Sequence, residues 1–192
     1  VEFQMCSRLS PLASLVRSVR EAGDGHRVTI PASWMQGKTT YGGCSAALCL
    51  EVAKRRTLSP LPPLRSALIA FVGGGGGAPP IRSEVLRRGK TMAFVRAEAS
   101  CGGFLATTAT FAFGAGRDSA FDLSDVPEPP PSLPDPGRSP DLFEGASASA
   151  PTFTQHFEAR LAAGGRPFSA SNVSDHFFWV RHRLVSDDND DD

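Results

Sequence analysis

Proline placement limits this chain more than any other feature. Eight of its sixteen prolines fall between Val126 and Pro151, beside Ser147, Ala148, Ser149 and Ala150. Proline has no N–H to donate and a fixed φ, so such a stretch builds neither a helix interior nor a central strand. Residues 126–151 are therefore expected to run as an extended linker. It follows a first unit over 1–125, an ordinary domain size. Beyond it, 152–184 is too short to close a core of its own, and 185–192 is an acidic tail.

Within 1–125, Leu12, Leu15, Val16 and Val19 recur at helical spacing, with Arg17, Arg20 and Glu21 on the other side. The pattern predicts an amphipathic helix ending near Gly23. His26–Ser33 reads as a strand. After Gly42-Gly43, the stretch Cys44–Arg56 carries Ala46, Ala47, Leu48, Leu50, Val52 and Ala53, apolar almost all round, as a buried helix is. Beyond Pro60–Pro63 the period drops to two. Ser66–Val72, Ile81–Arg87, Thr91–Ser100 and Gly103–Phe113 predict four strands, with Gly89 and Cys101–Gly103 at hairpin turns. A helix, a strand, a buried helix and a four-strand antiparallel meander make an α+β domain, a sheet curled round one long helix: the hotdog arrangement.

Charge and cysteine usage narrow the function classes. The formal net charge is zero, but five of the twenty acids are Asp187, Asp188, Asp190, Asp191 and Asp192. Over 1–186, 20 basic side chains face 15 acidic ones, a mildly basic body without the dense basic stripe of a nucleic-acid binder. Cys6, Cys44, Cys49 and Cys101 form no CxxC pair and read as reduced thiols, with 44 and 49 awkwardly spaced for one helical face. No apolar run reaches the ~18 residues of a membrane span, and no basic-then-apolar leader opens the chain. A soluble cytoplasmic protein is the expectation.

Several motifs suggest chemistry. Gly37-Lys38-Thr39 and Gly89-Lys90-Thr91 look like the end of a phosphate loop, but the glycine such a loop needs five residues earlier is Ala32 or Glu84. The run Gly73–Gly77 reads as a flexible loop between strands. His26, His156, His176 and His182 lack metal-ligand spacing, so no metal is expected. Gly42-Gly43 has two readings: a tight turn needing positive φ, or a helix N-terminus whose unpaired N–H groups hold a carbonyl oxygen. Glu51 is the one acid on the buried helix, either a general base or the point where the helix meets solvent.

The residues Trp34-Met35-Gln36-Gly37-Lys38-Thr39-Thr40-Tyr41-Gly42-Gly43, followed by an Ala/Leu helix, resemble the opening of the type II acyl-CoA thioesterase-like proteins. Pro63-Leu64-Arg65-Ser66 leading into Phe71-Val72-Gly73, then Val85-Leu86-Arg87-Arg88-Gly89-Lys90-Thr91 and Phe104–Phe113, support the resemblance in the same order. It spans about residues 26–183.

The resemblance implies a double hotdog, two repeats in one chain, that hydrolyses acyl-CoA to free acid and CoA without metal or cofactor. Tyr41, Gly42 and Gly43 would line the acyl or pantetheine groove. The second repeat would start at Phe153 and reach Phe178-Trp179-Val180-Arg181, similar to the family's Trp-x-Arg strand. The family's second long helix and its Asp, Ser/Thr and Gln follow that strand, and nothing after Arg183 matches them. The expected partner is therefore acyl-CoA, handled by an incomplete thioesterase or by a non-catalytic acyl-CoA-binding or scaffold hotdog. Pairing of two copies stays open.

Overall fold

The computed structural model describes residues 10–57, 60–121, 123, 132–143, 150–166 and 169–183. They fall into two compact units that divide between Arg117 and Asp118.

The first unit begins with helix α1 (Leu12–Arg17) and a short hairpin, β1 (Arg20–Ala22) and β2 (Gly25–Arg27). A single 3-10 turn (Ala32–Trp34) leads to a tight ladder of β3 (Met35–Gln36) and β4 (Thr39–Thr40). Next come helix α2 (Gly42–Arg55) and the strands β5 (Leu64–Phe71), β6 (Pro80–Arg88), β7 (Met92–Cys101) and β8 (Phe104–Gly114). The main sheet runs β1-β2-β6-β7-β8-β5, with every neighbour antiparallel. Its concave face wraps α2, which packs on β6, β7 and β8. This is the α+β hotdog arrangement expected from the pattern.

Side-chain size explains the close fit. Cys44, Leu48, Cys49, Val52 and Ala53 of α2 are buried. They meet Ala93, Val95, Ala97 and Ala99 of β7 and Ala109, Phe111 and Phe113 of β8, all buried too. Alanines at alternate β7 positions leave room for the helix, and the two phenylalanines fill the remaining space. On the convex face, Arg96 bridges Glu84 at 2.5 Å and Glu98 at 3.5 Å. These pairs are half exposed and contribute little to stability.

Two expected elements change. The first helix stops at Arg17 instead of running to Gly23: the Ser18 hydroxyl donates to Leu15 O at 2.7 Å, and the chain turns into β1. Val19 is thereby sunk fully into the core, its carbonyl accepting from Arg55 Nη1 at 2.8 Å. The strand expected over His26–Ser33 ends at Arg27. Val28 and Ile30 remain buried, but the Ile30 N–H goes to Gly77 O at 2.8 Å rather than to a sheet neighbour, and Pro31 then starts the 3-10 turn. Cys44 and Cys49 are both buried free thiols, because α2 is enclosed on more than one face, and Cys101 is a half-buried one; Cys6 lies outside the described residues.

The second unit contains an antiparallel pair, β9 (Phe157–Ala163) and β10 (Phe177–His182). Glu158 takes hydrogen bonds from Arg160 and Arg181, which hold its carboxyl below the usual range. The Trp179 indole donates to Pro134 O at 2.9 Å. Part of the proline stretch is not a free linker: Leu142 N–H donates to Ala159 O, Leu161 N–H to Pro140 O, and Ser139 and Leu142 are buried. Residues 124–131, 144–149 and the acidic tail lie outside the described residues. No described helix is long and apolar enough to cross a membrane.

Candidate functional site

The segment entering α2 is anchored by Trp34, whose side chain is completely buried. Its indole N–H donates to Ser10 O at 3.0 Å, its carbonyl accepts the Tyr41 N–H at 2.9 Å, and its ring stacks on Tyr41 with centroids 6.5 Å apart. These contacts set where the helix begins. Ser45 N–H makes the first helical bond, to Tyr41 O at 3.1 Å. No side chain caps the N-terminus, and the N–H groups of Gly42, Gly43 and Cys44 find no acceptor among the described residues.

Gly42 and Gly43 are the first two residues of α2, and neither has positive φ. The tight-turn reading of this pair is thus set aside in favour of close approach. A Cβ on Gly42 would lie 2.8 Å from the tip of the Phe71 ring, and one on Gly43 would lie 2.6 Å from the Tyr41 ring.

These residues open onto a cavity of about 660 Å³. One wall is the start of α2 with Tyr41, Gly42, Gly43 and Ser45; another is the hairpin residues Gln36, Thr39 and Thr40. The floor is one row across the sheet, Ile81 of β6, Ala99 of β7, Thr107 of β8 and Phe71 of β5, as the register Ile81↔Ala99↔Thr107↔Phe71 defines. The last wall is main chain, Gly73, Gly74 and Gly75.

The glycine run connects β5 to β6, as expected of an inter-strand loop, but it is tied down along its length. Gly75 O accepts from Thr40 N–H at 2.6 Å and from the Thr40 hydroxyl at 3.0 Å, and Ala106 O accepts from Gly73 N–H at 3.1 Å. A Cβ would sit 3.1 Å from Leu105 O at Gly73 and 3.0 Å from the Ala106 methyl at Gly75. Glycine serves close approach here, to main chain at Gly73 and to methyl groups at Gly74 and Gly75.

The structure thus brings Tyr41, Gly42 and Gly43 together on one cavity. Glu51 does not line it: its carboxylate pairs with Arg55 at 2.6 Å, two turns along α2. Sequence reasoning missed Ile81, Ala99 and Thr107. One signal was available for Thr107, the only hydroxyl among the core-facing positions 107, 109, 111 and 113. No carboxylate or histidine lines the cavity among the described residues. What the site offers is polarisation: helix-terminal N–H groups, backed by the positive end of the helix dipole, at a chamber with a largely apolar floor and uncharged polar side chains on its walls.

A hotdog domain with a chamber at the N-terminus of its central helix is the class these features define. Residues 30–114, fewer than half of the chain, match the model of the acyl-CoA thioesterase N-terminal domain. Solved structures agree on the fold. A protein of unknown function with a hotdog fold from Alicyclobacillus acidocaldarius is 20% identical with a TM-score of 0.73, over 91% of this chain and 64% of that one. The acyl-CoA thioesterase II TesB2 from Mycobacterium marinum is 18% identical with a TM-score of 0.60, over 90% and 61%. The tesB protein from Mycobacterium avium subspecies paratuberculosis is 19% identical with a TM-score of 0.60, over 92% and 62%. The chain therefore spans less than two thirds of the length of each. No curated protein matches it.

Proposed function

We propose that the first unit binds acyl-CoA thioesters, with the thioester carbonyl at the start of α2, as part of an acyl-CoA thioesterase-like protein. The carrying observation is the pair of unpaired N–H groups on Gly42 and Gly43, facing the 660 Å³ cavity. Such donors stabilise negative charge that grows on a carbonyl oxygen as water attacks its carbon. Tyr41 forms the rim beside them, and the apolar floor accommodates the acyl or pantetheine chain. The surplus of positive charge over 1–186 favours an anionic CoA ester. An intracellular CoA pool makes the cytoplasm the proposed compartment and acyl-lipid turnover the proposed setting.

Hydrolysis needs a base to take a proton from water, and the cavity lining holds no acid or histidine among the described residues. That observation favours a second reading, acyl-CoA binding without turnover. We read β9 and β10 as the opening of a second hotdog repeat, the part in which the family carries its catalytic Asp, Ser/Thr and Gln.

Calorimetric titration with a non-hydrolysable S-alkyl-CoA and CoA release from the matching acyl-CoA separate the readings. Binding with release supports the thioesterase; binding without release selects the acyl-CoA-binding protein. No binding sinks both. Gly42→Val should weaken binding about tenfold, since its side chain must displace the Phe71 ring or shift the helix start.

A further inference from the structure

One polar side chain in the cavity floor has entered no role so far. Thr107 is 4% exposed and lines the chamber, yet its hydroxyl makes no hydrogen bond among the described residues. The register places it between Ala99 of β7 and Phe71 of β5, in a floor row that is otherwise apolar. The hydroxyl opens on the chamber, so it is free to donate to an occupant that carries an acceptor.

The position of Thr107 identifies which part of the occupant it meets. Directly paired residues on antiparallel strands have their Cα atoms about 4.5–5.5 Å apart and project to the same face. Phe71, the partner of Thr107, has its ring tip against Gly42 at the start of α2. The hydroxyl and the free N–H groups of Gly42 and Gly43 thus belong to the same end of the chamber, one on the sheet and the others on the helix.

We infer that Thr107 is a substrate-binding residue whose O–H donates to the thioester carbonyl oxygen from the sheet side while the α2 amides donate from the helix side. This rests on the acyl-CoA reading above. It assigns the site a preference for ligands that carry a carbonyl next to sulfur-linked pantetheine, beyond mere capacity for an apolar chain. A donor added by a threonine also fits the chemistry, because the oxygen gains charge as the carbonyl is attacked and two directions of donation hold it better than one.

Two non-hydrolysable probes of equal chain length test it: an S-(2-oxoalkyl)-CoA, which keeps a ketone oxygen, and an S-alkyl-CoA thioether, which lacks it. The wild-type chain should bind the ketone about tenfold more tightly. Thr107→Val, nearly the same shape, should cut that ratio about three- to tenfold while leaving thioether affinity in place. Thr107→Ser should keep the wild-type ratio. A Thr107→Val chain with the wild-type ratio, or one weakened equally toward both probes, overturns the role of Thr107 alone. If neither probe binds the wild-type chain, the acyl-CoA reading fails and takes this assignment with it.

Discussion

Replacing Trp34 by alanine is expected to remove about 3–5 kcal/mol of folding stability, the usual cost of deleting a buried aromatic side chain. Trp34 is the largest fully buried side chain described, and it holds the chain on both sides of the site. Truncation leaves Ser10 O without its indole donor and Tyr41 without its stacking partner. Because Tyr41 is the last residue before α2, the damage reaches the cavity: acyl-CoA binding should weaken even at temperatures where the variant stays folded. Trp34→Phe separates the two contributions, keeping most of the packing while losing one hydrogen bond, a cost of about 1–2 kcal/mol. Urea unfolding followed by circular dichroism reads both values. A loss below about 1 kcal/mol in Trp34→Ala would show that Trp34 is not the anchor of this segment.

The second large effect concerns thiol chemistry. Cys44 and Cys49 are fully buried on α2, and burial pushes both thiols up to about 12 from an ordinary 9.0. Only the thiolate reacts, so at neutral pH each should be labelled on the order of 10³-fold more slowly than a free cysteine, before restricted access slows it further. A chain carrying Cys6→Ser and Cys101→Ser isolates the pair, and Ellman's reagent follows it. Labelling should then track unfolding.

The same groups make stability depend on alkaline pH. Below about pH 9 both thiols are protonated in the folded and unfolded chains, and their contribution is intact. Between about pH 9 and 12 the unfolded chain ionises while the folded one resists, so stability falls as pH rises, by about 1.4 kcal/mol per pH unit for each thiol. Rapid labelling of the native protein at neutral pH would contradict the enclosure of α2.

The meander was readable because a two-residue period with alanine on one face leaves few alternatives. Thr91–Ser100 and Gly103–Phe113 were placed within a residue or two of β7 and β8. Helix α2 was readable from its run of small apolar residues. The early segment was not, since Val19, Val28 and Ile30 are apolar for reasons local periodicity does not carry: they fill the core from turns and irregular backbone.

Of the site, Tyr41, Gly42 and Gly43 could be proposed because they are contiguous. The floor could not, because Ile81, Ala99, Thr107 and Phe71 become neighbours only through strand register. The glycine run drew attention, yet its partners, Thr40 and Ala106, lie some thirty residues away on either side.

The wall built from Gly73, Gly74 and Gly75 decides how this chamber can be reshaped. A ligand passing it meets peptide groups and no side chain, so substitution there changes the backbone path before it changes the lining. Redesign for a wider or narrower cargo therefore has its adjustable positions in the floor, at Ile81 and Ala99, where a methylene added or removed alters volume without disturbing the ties to Thr40 and Ala106.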